Sequence, residues 1–326
     1  IFVTSSEIIT FVNKLASRLA KESNQHFVST IGKINVHPNA AAIIPGKVEM
    51  TIDLRASSKS SRDQYIKELE MAKRVQQALL KVDSPDIPNI SIAKRCLPAQ
   101  SLGGDFYTFV NKGIHAIIQN TTTPGIVKYS DNKDRYLGIA IGDVAGHGVS
   151  SALVMALSAG LLDKIGQNNR STAEILKRAN TDIGKYIYKS QINYVTVFYG
   201  ALNLESKTLS YSKAGHVPPL HIHKDGSIEE LSAKGVFLGM YKNEVYEEKT
   251  CQLHSGDKIL FYTDGITESK NKKGEVFGLQ RLKSLIHENL DLSADNMLEL
   301  VFKNVHKFSG KSEATDDQTI IILSID

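Results

Sequence analysis

Tryptophan is absent from this chain of 326 residues, cysteine occurs twice and proline only 8 times. Two cysteines, Cys96 and Cys251, exclude a disulfide framework and a cysteine-built structural zinc site, and they suit a reducing cytosol. No apolar run reaches the length of a bilayer crossing, so no membrane span is expected. The first residues lack a charged segment followed by a cleavage site, so no secretory signal is expected either. Charge of one sign is also scarce. Lys and Arg total 39 against 35 Asp and Glu, and the net +4 is spread along the chain rather than gathered in a stripe, which argues against nucleic acid as a partner. There are no repeats or low-complexity tracts. What remains is 41% hydrophobic and 23% charged, the balance of a cytoplasmic globular protein long enough for one large domain or two smaller ones.

Ser5 or Ser6 is placed to cap a helix with Ile8, Val12, Leu15 and Leu19 on one face. Phe27 to Val36 reads as extended, and Ile44-Pro45-Gly46 reads as a turn. Val48, Met50, Ile52 and Leu54 alternate with polar neighbours, as a half-buried strand does. The polar run Ser57 to Ser61 marks a boundary. Beyond it Ile66, Leu69, Ala72, Val75 and Leu79 recur every three or four residues. That is either the seam of a short dimeric coiled coil or the packed face of an amphipathic helix. The chain thus divides into an N-terminal fragment (1–60), a linker helix (61–82) and a main domain (83–326).

In the main domain, Tyr136 to Val144, Tyr194 to Leu204, Leu209 to Ser212, Leu220 to His223, Lys258 to Thr263 and Thr319 to Ile325 read as strands. Asp225-Gly226 supplies a hairpin turn. Ser150 to Ile165 is an apolar helix, and Ser171-x-x-Glu174 is a capping box opening a helix with Ile175, Ala179, Ile183 and Ile187 on one face. Hairpins around a central helical pair predict an α+β chain: antiparallel sheets covered by helices, not a doubly wound parallel sheet.

Four carboxylates sit beside glycine or at a strand end: Asp105, Asp143, Asp264 and Asp316. Three of them adjoin the apolar runs 137–141, 259–262 and 320–323. A carboxylate at the end of a buried strand is costly unless its charge is compensated. Several such ends converging would make an anionic pocket that divalent cations relieve. Ligands that are all oxygen suit Mg²⁺ or Mn²⁺ better than Zn²⁺. His147 is read as a turn residue near the site, although its chemistry would also suit a general acid. His216 is read as shaping a loop. His221 and His223 alternate in a strand, face one side, and are expected to be solvent-exposed rather than metal ligands. Cys96 and Cys251 are read as small apolar fillers.

The segments Leu97-Pro-Ala-Gln-Ser-Leu-Gly-Gly-Asp-Phe-Tyr107, Ile139-Ala-Ile-Gly-Asp-Val-Ala-Gly-His-Gly148, Ala214-Gly-His-Val-Pro-Pro219, Phe261-Tyr-Thr-Asp-Gly-Ile-Thr-Glu268, Phe277-Gly278 and Asp316-Asp-Gln-Thr319 occur in this order. Through them residues 68–326 resemble the SpoIIE-type serine/threonine phosphatases, a branch of the metal-dependent protein phosphatase 2C superfamily. The resemblance implies an α-β-β-α sandwich with two Mg²⁺ or Mn²⁺ ions at one end. Asp143 would bridge the ions, Asp105 and the Val144 backbone carbonyl would serve one, and Asp264 and Asp316 the other. Asp317 is either a supporting partner or the ligand itself, with Asp316 preferred as ligand. The implied reaction is attack of a metal-activated water on a phosphoserine or phosphothreonine. The implied substrate is a STAS-domain anti-sigma-factor antagonist in a partner-switching pathway, and the implied linker is regulatory; the helix periodicity and the N-terminal strands separately allow a homodimer through the linker helix or the N-terminal segment. The alternatives are a catalytically silent scaffold of the same fold or a remnant amidohydrolase. The segment 110–135 is longer than the family usually carries and reads as an extra hairpin, and Val217 replaces the motif's usual Asn.

Residues 5–56, through Ser29 to Asn39 and Ile43 to Arg55, resemble part of the lid or dimerisation domain of N-carbamoyl-amino-acid and allantoate amidohydrolases. Arg55 matches the lid arginine that contacts a substrate carboxylate, and Ala42 stands where a substrate-contacting Asn is usual. The metal-binding half of those enzymes is absent, so carbamoyl hydrolysis is not expected.

Overall fold

A computed structural model describes residues 27–37, 47–56, 59–80, 83–112, 116–117, 128–129, 135–146, 148–168, 171–187, 194–310, 314 and 316–326. The chain divides into two compact units, Ile1–Met71 and Ala72–Asp326. In the first, β1 (Phe27–His37) and β2 (Lys47–Ala56) form an antiparallel pair with Phe27 opposite Ala56 and a register shift between Ile31 and Lys33. Both strands were expected, β1 as an extended run and β2 from alternation. The expected helix from Ser5 and the turn at Ile44 lie outside the described residues. Helix α1 (Lys59–Leu80) begins inside the polar Ser57–Ser61 stretch rather than after it.

The second unit continues with β3 (Ile90–Leu97), β4 (Phe106–Lys112), β5 (Ala116–Ile117), β6 (Lys128–Tyr129), β7 (Tyr136–Val144), α2 (Val149–Asn168), α3 (Thr172–Ile187), β8 (Val195–Asn203), β9 (Thr208–Ala214), β10 (Leu220–Ile222) and β11 (Ile228–Glu230). Then come β12 (Lys249–Gln252), β13 (Lys258–Tyr262), α4 (Asp264–Thr267), α5 (Leu279–His287), α6 (Ala294–Ser309) and β14 (Gln318–Ile325). One sheet has the order β11-β10-β13-β14-β3 and the other β12-β9-β8-β7-β4. Every pairing within them is antiparallel. Within 110–135 the short pair β5–β6 sets Ala116 opposite Tyr129.

Period-two alternation builds the layers. Leu137, Ile139 and Ile141 of β7 meet Ile321, Leu323 and Phe261 between the sheets, while Ala140 and Val144 face α2 and α3. On the far side Leu260, Ile320 and Ile322 pack under Leu282, Met297, Val301 and Val305 of α5 and α6. The result is the α-β-β-α sandwich. Cys96 and Cys251 are free thiols packed against the inter-sheet core, as fillers would be.

Length and composition alone would let α2 cross a bilayer, although no such run was read from the sequence. Val154, Met155 and Leu162 are instead buried against the sheet and α3. Ser171 Oγ accepts from the Glu174 N–H as a cap does, but the Glu174 carboxylate pairs with Arg178. Glu248 takes its place, accepting from Thr172 N and Ala173 N.

Candidate metal centre

Antiparallel pairing brings the strand ends together. Phe106 at the start of β4 lies opposite Gly142 near the end of β7. Tyr262 at the end of β13 lies opposite Ile320 near the start of β14. Asp105, Asp143 and Val144 therefore share one end of one sheet, and Asp264, Asp316 and Asp317 share one end of the other. Side chains join the two sets. Thr263 Oγ1 and Thr319 Oγ1 each donate to Asp105 Oδ2 at 2.7 Å. Asp317 accepts from Gly104 N at 2.6 Å, Asp105 N at 3.3 Å and Ala99 N at 2.7 Å.

Asp105, Asp143 and Asp264 resist ionisation. Burial, then the charges of Asp264, Asp316 and Asp317, push Asp143 up to about 7. Asp105, at 2% exposure, is driven well above its ordinary value by burial and by Asp143, against the two threonine hydroxyls. Asp264 is raised by burial and by Glu268. Charges that raise Asp143 and Asp105 in this way are ones that cations offset.

The backbone leaves room for one. A β-carbon on Gly104 would stand 2.6 Å from the Val144 carbonyl oxygen and 3.0 Å from Asp143 Oδ1. Both oxygens thus border the same space, and only glycine keeps it open. Asp264 and Asp316 are near enough for their charges to raise Asp143, and oxygens of this kind are a donor chemistry that would suit Mg²⁺ or Mn²⁺. Gly104→Ala should therefore weaken the response to Mn²⁺ at least about tenfold while the chain still folds. A metal titration of activity and a thermal melt check this; an unchanged titration would show that the space is not used.

The structure brings the six residues singled out from the sequence to the same end of the sheets, and the groups that hold them there were not read. His216, expected only to shape a loop, is buried, and burial pushes it down to about 3. The neutral ring donates from Nε2 to the Tyr262 carbonyl and accepts at Nδ1 from Thr196 Oγ1, which in turn accepts from Asp143 N. His216 thereby ties the strand carrying Asp143 to the strand preceding Asp264. Gln76 of α1 is equally buried and clamps Gly103 from both sides, donating to its carbonyl at 2.7 Å and accepting from its N–H at 3.1 Å. Thr263 and Thr319 stand in the motifs already singled out, so adjacency to Asp264 and Asp317 was the available signal. His147 lies outside the described residues. His221 and His223 share a face as expected, but the expected exposure fails for His221, which is 1% exposed.

The family profile for stage II sporulation protein E (SpoIIE) matches residues 133–326, more than half of the chain. Phosphoserine phosphatase RsbU of Bacillus subtilis (strain 168) is 29% identical over 78% of the chain and 69% of its own length. The SiaA-PP2C domain of Pseudomonas aeruginosa is similar in structure at a TM-score of 0.63, with 19% identity over 82% of the chain and all of that domain. RsbX in complex with magnesium is similar at a TM-score of 0.51, with 16% identity over 75% of the chain and all of RsbX.

Proposed function

The chain belongs to the SpoIIE family of PP2C-type phosphatases, and from that membership we propose how its site is loaded, what it acts on and how it is controlled. It is a metal-dependent protein-serine/threonine phosphatase. Two Mg²⁺ or Mn²⁺ ions would be held by Asp143, shared between them, with Asp105 and the Val144 carbonyl on one side and Asp264 and Asp316 on the other. The chemistry such ions supply is Lewis-acid activation of water for in-line attack on phosphorus. The rest is done by the chain. Thr263 and Thr319 hold Asp105 Oδ2, Asp317 anchors the loop that carries Gly104, and His216 fixes the backbone of Asp143. The observation that carries this reading is the convergence of mutually repelling carboxylates from both sheets on the space that Gly104 keeps open. The magnesium of RsbX supports the choice of ion.

The substrate in this reading is a phosphorylated STAS-domain anti-sigma-factor antagonist in cytoplasmic partner switching; the name of RsbU supports phosphoserine. Release of phosphate from such a protein, dependent on Mn²⁺ and abolished reversibly by EDTA, is the test. A folded chain with no turnover on it or on p-nitrophenyl phosphate would leave a silent scaffold.

Control enters through α1 in this reading. Val75 is 60% exposed and Leu79 52%, while Gln76, one turn from Leu79, reaches Gly103. Val75 and Leu79 are thus turned outward, where a second copy of the helix can cover them, and Gln76 beside them grips the loop of Asp105. Residues 1–60 would be a lid-like fragment that adds to dimerisation or input, and 83–326 the catalytic part. Val75→Asp should halve the mass seen by light scattering. Gln76→Leu should lower turnover about tenfold or more through the unseated loop, without changing that mass. A dimer that survives Val75→Asp, or full activity in Gln76→Leu, would remove the corresponding half of the reading.

A further inference from the structure

The hairpin of β10 and β11 carries a second set of ligand side chains, away from the carboxylate cluster. His221 lies opposite Ile259 at the start of β13, whereas Asp264 follows the end of that strand. From Asp257 to Asp264 the chain spans about 20 Å at strand rise. In the hairpin His221 is directly opposite Glu229, and His223 follows on the same face. One ring nitrogen of each histidine and one carboxylate oxygen of Glu229 all lie within 4.8 Å of one another. The two imidazole rings stand 3.9 Å apart, tilted by 38°.

The chemistry of His221 makes this more than a polar edge. Its Nε2 is 3.0 Å from Asp257 Oδ2. Asp257 is itself fixed in the turn before β13, where it accepts from His254 N at 2.9 Å and Lys224 N at 3.1 Å. With a carboxylate oxygen as its partner, His221 Nε2 is the donor of its bond to Asp257, and in the neutral ring that metal binding requires, Nδ1 carries the lone pair. That Nδ1 is buried and has no hydrogen-bond partner among the described residues. A buried acceptor left unpaired is a net cost to the fold. A carboxylate on one ring nitrogen and an unused lone pair on the other is the arrangement by which proteins orient histidine toward a metal.

We propose that His221, His223 and Glu229 bind one transition-metal ion of the zinc class, with Asp257 orienting His221. Two imidazoles and one carboxylate suit Zn²⁺ with a water in the fourth position, and suit Mg²⁺ poorly. The all-oxygen cluster at the other end has the opposite preference, so the two sites sort ions by ligand chemistry. The role is structural. β10 and β11 have three residues each and β11 is an edge strand. A metal joining His221 and His223 to Glu229 cross-links that short edge.

The test uses the full chain, stripped with EDTA and dialysed against zinc in excess Mg²⁺, with bound zinc counted by mass spectrometry and Co²⁺ used as a spectroscopic probe. His223→Ala and Glu229→Gln change partly or fully exposed residues and should fold as the parent does, as melts in EDTA will verify. The expected result is one zinc per chain in the parent and in Asp143→Asn, with tetrahedral Co²⁺ absorption and a melting midpoint raised by zinc. Each of His223→Ala and Glu229→Gln should weaken zinc binding at least about tenfold, and Asp257→Asn by about 10–100-fold, with Mg²⁺-supported phosphatase activity unchanged in the first two. Absence of retained zinc, its loss in Asp143→Asn, or unweakened binding in either His223→Ala or Glu229→Gln overturns the proposal.

Discussion

Asp143→Asn should lower phosphatase turnover by about 10³-fold or more, yet make the metal-free chain more stable at pH 8 than its parent. The first effect follows from the position of Asp143 between the two halves of the cluster. In the proposed loading, losing its charge weakens a ligand shared by both ions, and several kcal/mol of transition-state stabilisation are worth about three powers of ten. The second follows from the same environment. Burial and the charges of Asp264, Asp316 and Asp317 raise Asp143 from 3.8 to about 7. In the folded, metal-free chain the carboxyl keeps its proton to higher pH than in the unfolded chain. Folding therefore favours the protonated form, and stability falls as pH rises from about 4 to about 7. Asparagine cannot ionise, so this contribution to the pH slope disappears. Thermal melts in EDTA at pH 5 and pH 8 measure it. The parent should lose midpoint between the two, Asp143→Asn should lose less, and added Mn²⁺ should raise the parent at pH 8 far more than the variant. Equal slopes in parent and variant would mean that Asp143 does not sit in the repelling cluster.

Much of this site was legible because its residues lie at strand ends, where an apolar run stops abruptly at a carboxylate. Strands β7, β13 and β14 are buried on both faces, so their hydrophobic runs are nearly continuous, and Asp143, Asp264 and Asp316 stand out against them. The helices α5 and α6 were not read, although Ser293 caps α6 and Met297, Leu298, Val301, Phe302 and Val305 lie on its buried face. The strands β3 and β12 were also missed. Ile90–Leu97 alternates only weakly, and Lys249–Gln252 is a four-residue edge strand with little apolar content. His221 was misjudged because its burial depends on Asp257, thirty-six residues along the chain. No local pattern reports a partner at that separation. The same holds for Gln76, which resembles any solvated helix residue until Gly103 is brought beside it.

Asp317→Asn should lower stability and turnover together, whereas Asp316→Asn should cost metal affinity and little stability. The two residues are adjacent, and composition cannot separate their roles. Asp317 is 7% exposed, and its two oxygens accept from the backbone N–H groups of Ala99, Gly104 and Asp105. An amide in its place would turn a donor toward one of those donors, so at least one bond to a charged acceptor is lost and a buried N–H is left unpaired. At about 1.5–3 kcal/mol for a bond to a charged group, the loss is about 3 kcal/mol or more once the unpaired group is included. For a chain of this size that lowers the melting midpoint by roughly 6–12 °C. Turnover falls with it, because the loop being released carries both Gly104 and Asp105. Asp316 is exposed, and its charge is felt at Asp143. Asp316→Asn removes that charge from the metal side, so the Mn²⁺ concentration for half-maximal activity should rise about tenfold or more, with the midpoint in EDTA within about 2 °C of the parent. Melts and Mn²⁺ titrations of both variants decide the matter. If Asp317→Asn folds like the parent and loses its metal response while Asp316→Asn keeps both, then Asp317 is the ligand and Asp316 the support.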